Sequence, residues 1–81
     1  MNPERTHMKG MLYENERTAR KLDAQCKGAI MLIRQLLNPY EDNVCKLDLD
    51  AAKAAMDKLC TDTEELQKVT DKIRRLKEDL E

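Results

Sequence analysis

The sequence predicts an all-α protein, an antiparallel hairpin of two long helices, and three observations carry that prediction. Apolar residues recur at alternating spacings of three and four through both halves of the chain. One cluster of turn-forming residues, Asn38-Pro39-Tyr40-Glu41-Asp42-Asn43, lies near the middle. The composition also excludes the alternatives: two Gly and two Pro rule out collagen-like and low-complexity chains, and the absence of Phe and Trp disfavours a β-sandwich or barrel.

The first helix is expected over residues 3–38. Asn2 before Pro3 is a good start, because an Asn side chain accepts from free N–H groups and a proline at the first helical position lacks an N–H that would stay unpaired. Met8, Leu12, Asn15, Ala19, Leu22, Cys26, Ala29, Ile33, Leu36 and Tyr40 then form a heptad seam with one polar interruption. Gly10 weakens the first turns, and Pro39 ends the helix by forcing the residue before it out of the helical region. Mid-helix, Gly28 admits two readings, a close helix approach or a tolerated exposed glycine.

The second helix is expected over residues 48–80, capped by Asp48 or Asp50 and opened by the good helix formers Ala51, Ala52, Ala54, Ala55 and Met56. Its seam is Ala52, Ala55, Leu59, Asp62, Leu66, Val69, Ile73, Leu76 and Leu80. A capping-box pattern from Thr61 to Glu64 offers a break. The seam keeps its phase through Asp62, which favours one continuous helix. Each helix is then about 50 Å long at 1.5 Å per residue, and a short connection folds them side by side as a single domain spanning 1–81. With the turn centred near Asn43, Cys26 is expected to face Cys60, and Arg17 and Arg20 to lie near Glu64 and Glu65. Residues 1–40 carry a net charge of +3 and residues 41–81 a net charge of −4, which suits that pairing.

A domain of 81 residues has a marginal core and is expected to need company. The five consecutive apolar residues Ala29-Ile30-Met31-Leu32-Ile33, with Leu36 and Leu37 beyond them, point around most of the helix circumference. Leu22, Ile33, Leu36, Leu59, Leu66 and Ile73 are assigned to the hairpin core. Ile30, Met31, Leu32 and Leu37 are assigned to an association surface, most simply that of a homodimeric four-helix bundle. A foreign protein could occupy the same surface, as in a small chaperone or adaptor.

No residue pattern points to catalysis, a cofactor or a metal. His7 is the only histidine and has no partner that the sequence places beside it. Cys26, Cys45 and Cys60 match no zinc, redox or haem spacing and are read as reduced thiols, with Cys26 and Cys60 able to pack across the hairpin or respond to oxidation. Arg20, Lys27 and Arg34 are spaced by seven, flanked by Arg17 and Lys21, and form a basic stripe that could track phosphates in a small nucleic-acid regulator. The acidic second helix opposes that use. The N-terminus lacks the apolar stretch of a secretory signal and no membrane span is present, so a cytoplasmic protein is expected.

The phrase Ile33-Arg34-Gln35-Leu36-Leu37-Asn38-Pro39-Tyr40-Glu41, followed by Leu47-Asp48 and an Ala-rich helix, resembles small uncharacterised helical proteins of bacterial prophages. The resemblance implies a bacterial or phage origin and a binding role, and carries no functional residue across. The sequence thus points to a non-enzymatic, self-associating helical interaction module.

Overall fold

A computed structural model describes residues 3–81. It contains two α-helices, α1 (Pro3–Leu36) and α2 (Leu49–Leu80), packed as an antiparallel hairpin whose Cα extents are 65 × 15 × 14 Å. Pro3 occupies the first helical position as expected, whereas Asn2 lies outside the described residues.

Helix α1 ends at Leu36 rather than at Asn38. The Leu37 N–H still donates to the Ile33 carbonyl at 2.9 Å, but Asn38 turns its side chain to accept from the Tyr40 N–H at 3.0 Å. The helix therefore stops two residues earlier than expected, because the Asx turn from Asn38 across Pro39 to Tyr40 replaces the last helical step. Tyr40 accordingly leaves the seam, where the heptad pattern placed it, and is 88% exposed.

The connection is a chain of side-chain-to-backbone bonds. The Glu41 carboxylate accepts from the Asn43 N–H at 3.3 Å, and Asn43 Oδ1 accepts from the Cys45 N–H at 3.0 Å, capping the short 3-10 helix Val44–Lys46. Asp48 then caps α2, its Oδ1 accepting from the Ala51 N–H at 3.0 Å. Of the two candidate caps, Asp48 fills the role and Asp50 lies in the first turn.

Helix α2 runs unbroken through Thr61–Glu64. The potential cap is defused locally, since the Thr61 hydroxyl donates to the Asp57 carbonyl at 3.2 Å and the Thr63 hydroxyl to the Cys60 carbonyl at 2.9 Å.

Both ends of the hairpin agree on the register. At the open end the Arg5 guanidinium donates to the Leu80 carbonyl at 2.9 Å, and at the turn Leu36 ends α1 where Leu49 begins α2. Residues whose numbers add to about 85 therefore lie level along an antiparallel pair. Within that register every expected seam residue from Met8 to Leu36 and from Ala52 to Leu80 is buried or half-buried.

The seam is thin. Among the described residues those buried are Cys26, Ala29, Ala52, Ala55 and Val69, and no large side chain is completely enclosed. Gly28 does not mark a close helix approach, because a Cβ there would meet nothing within 4 Å. It is an exposed, tolerated glycine.

Cys26 and Cys60 come level but do not face each other. Cys26 is buried on the seam, while Cys60 is exposed one position past the seam residue Leu59. One residue along a helix turns the side chain by about 100°, so being level is not sufficient for contact.

Candidate interaction surface

With seam positions lettered a and d, Leu12, Cys26 and Ile33 of α1 and Ala52, Leu59 and Leu66 of α2 occupy a, while Met8, Leu22, Ala29, Ala55, Asp62 and Val69 occupy d. Reversing one helix against the other places the e flank of α1 on the same side as the e flank of α2. Near the turn those flanks carry Ile30 from α1 and Leu37 just past its end, with Leu49 and Met56 from α2. All four are substantially exposed, from 42% for Leu37 to 59% for Leu49.

The usual distribution of bulk is inverted here. Small residues (Cys26, Ala29, Ala52, Ala55) fill much of the seam near the turn, and Ile, Leu and Met stand on its flank. Away from the turn the same side carries Lys9, Glu16 and Asp23 from α1, with Thr63, Thr70 and Lys77 from α2. The apolar strip is thus confined to the half next to the turn.

The expected association residues divide between different sides. Ile30 and Leu37 join the strip, Leu32 lies on the opposite g flank, and Met31 points outward at f, all of them exposed. Met31 and Leu37 also line a shallow open recess of about 700 Å³ with Arg34, Pro39 and Tyr40. Leu49 and Met56 were not visible as surface candidates from the sequence of α1 alone. Their signal is present in α2, as two large apolar residues one heptad apart and off the seam.

The basic stripe is also on the surface, with Arg20, Lys27 and Arg34 at successive b positions and Arg17 beside them. Lys27 is not free, because its Nζ lies 2.8 Å from Asp23 Oδ2 on the same helix. The hydrogen bond to that carboxylate, and then its charge, raise the Lys27 pKa above 10.5.

The basic stripe has a counterpart on α2. Asp50, Asp57, Glu64, Asp71 and Glu78 occupy five successive f positions and form an acidic stripe along the helix. Within one hairpin these stripes do not pair across the seam. Arg17 and Arg20 make no ion pair with Glu64 or Glu65, and the pairs Asp23–Lys27, Lys58–Asp62 and Asp71–Arg74 each stay within one helix. Side chains at b and f point away from the seam, so opposite net charge does not bring them together.

Asp62 is the polar break in the α2 seam. Its Oδ2 is closed off from water without a hydrogen bond, and the Lys58 ammonium stands 3.5 Å away. Asn15, the polar break in α1, satisfies itself by donating to the Met11 carbonyl at 2.8 Å.

His7 is exposed beside Gly10, Met11 and Tyr13 at the open end. Among the described residues no group of three His, Cys, Asp or Glu is gathered to hold a metal ion, and no helix is long and apolar enough to cross a membrane. Comparison with known proteins finds no protein-family model, no curated protein and no solved structure that matches the chain.

Proposed function

We propose that the chain is a non-enzymatic helical interaction module that binds a second copy of itself through the apolar strip beside its turn. The observation that carries this reading is the inverted distribution of bulk, in which Ile30, Leu37, Leu49 and Met56 are displayed while alanines and a cysteine fill much of the adjoining seam. Fully burying a large apolar side chain is worth about 1.5 to 3 kcal/mol, so each of these half-exposed residues stands to gain about 1 kcal/mol more by being covered. The thin core supplies the complementary need, since no large side chain among the described residues is completely enclosed by the hairpin alone.

Light scattering across micromolar concentrations tests the reading. The 9.4 kDa chain is expected at twice that mass. The double variant Leu49→Asp, Met56→Asp is expected at monomer mass with its helicity retained, because both positions lie off the seam. A monomeric wild type at tens of micromolar would overturn self-association and leave the strip to a foreign protein.

A further inference from the structure

We propose that the second copy lies along the full length of the e side with both turns at the same end, so that α1 of each protomer rests on α2 of the other. This rests on the self-association proposed above, and adds the side, the orientation and the charged pairs that select them.

Area decides how much of the hairpin takes part. A standard-size interface buries about 800 Å² from each partner, and one long side of a body with Cα extents of 65 × 15 Å offers on the order of 1,000 Å². Overlap of the turn-proximal halves alone falls well short of that. Full-length overlap then leaves two orientations. With the turns at opposite ends, the strip of Ile30, Leu37, Leu49 and Met56 would fall on Lys9, Glu16, Thr70 and Lys77, burying charged groups against apolar ones. With the turns together, strip meets strip.

The side is selected by exposed apolar bulk. Charge does not separate the two sides, since the e flank of α2 is uncharged through Leu49, Met56, Thr63 and Thr70 while on α1 the uncharged flank is g, with Met11, Thr18, Gln25 and Leu32. The e side displays four large apolar residues and the g side two, Met11 and Leu32, and the richer side is the one that accepts a neighbour.

The charge stripes then fall into register. On α1, Arg20, Lys27 and Arg34 border the e flank at b. On α2 of the second copy the acidic f stripe runs alongside, and the hairpin's own register sets Arg34 level with Asp50, Lys27 with Asp57 and Arg20 with Glu64. Lys53 and Arg74 lie at b between these acids, so the edge of α2 remains acidic by five charges to two. Stripes that find no partner across their own hairpin find one in the copy, and the reversed orientation loses these pairings.

A charge exchange tests the arrangement. One variant carries Arg20→Glu, Lys27→Glu and Arg34→Glu, and the other carries Asp50→Lys, Asp57→Lys and Glu64→Lys. Each alone faces like charge across both contacts and is expected to dimerise at least tenfold more weakly than wild type at physiological salt. An equimolar mixture is expected to recover dimer mass. Orientation is read separately in the otherwise wild-type chain carrying Cys60→Ser, with donor and acceptor dyes on the exposed Cys45 of the turn. Strong energy transfer is expected. Variants that dimerise as well as wild type, a mixture that stays monomeric, or dimers without transfer between Cys45 labels would overturn the arrangement while leaving self-association standing. A wild type that is itself monomeric removes both.

Discussion

The ammonium of Lys58 stands 3.5 Å from Asp62 Oδ2, an ion pair in which one member is 63% exposed and the other only 13%. The pair is unequal. Lys58 keeps its water, while Asp62 holds a carboxylate oxygen in the seam without a hydrogen bond.

Asp62→Leu is therefore expected to stabilise the hairpin by about 1 to 3 kcal/mol, the cost of an unsatisfied buried polar group. Lys58 loses little, because exposed ion pairs contribute about 0 to 1 kcal/mol. Urea titration by circular dichroism checks this. A midpoint that stays put or falls would mean that the carboxylate is adequately solvated where it lies.

Gly28→Ala is expected to add about 1 kcal/mol through helix propensity, raising the melting temperature by roughly 4 to 8 °C. There is room for the new methyl group, since nothing lies within 4 Å of it. A loss of stability would reveal a contact made by that face in the assembled state.

Thiol reactivity should separate the three cysteines. Cys45 and Cys60 are exposed and are expected to alkylate rapidly in the native protein, whereas Cys26 is buried and should react only on unfolding. Mass spectrometry after a short iodoacetamide pulse reads the number of modified sites. Rapid modification of Cys26 would show that the seam opens readily at that point.

Asp23→Asn should bring the Lys27 pKa down towards its ordinary value, because the Asp23 carboxylate is what raises it. Folding gains from a raised lysine pKa only while the amine is protonated, so any contribution is present below pH 10.5 and lost as the pH climbs through the folded value. Lys27 is fully exposed, and the stability change is expected to be slight. Titration of the lysine side-chain resonances by NMR tests the direction.

The seam was legible residue by residue because a spacing of three and four has one meaning in a helix. Met8 through Leu36 and Ala52 through Leu80 all face inward, including the polar Asn15 and Asp62. The surface was less legible, for a geometric reason. Ala29 to Ile33 looks like one patch in the sequence, but at 100° per residue Ala29 and Ile33 enter the seam and Ile30, Met31 and Leu32 leave on three different bearings. The strip exists only when α1 is read together with α2, since half of it is Leu49 and Met56. Cys60 illustrates the same point, as its height along the axis follows from the turn but its bearing follows from Leu59. Tyr40 continues the heptad in sequence but not in space, because the helix ends at Leu36.

The bond from Arg5 to the Leu80 carbonyl ties the two ends farthest from the turn, 75 positions apart in the sequence. Pairs near the turn close the shortest loops and lose the least chain entropy, so separation of the helices should start at this last tie and travel inwards. The hairpin is in that sense a zipper with its slider at Arg5. Amide protons should exchange fastest at the two termini and progressively slower towards Ala52 and Ala55, and Arg5→Ala should steepen that gradient without altering exchange near the turn.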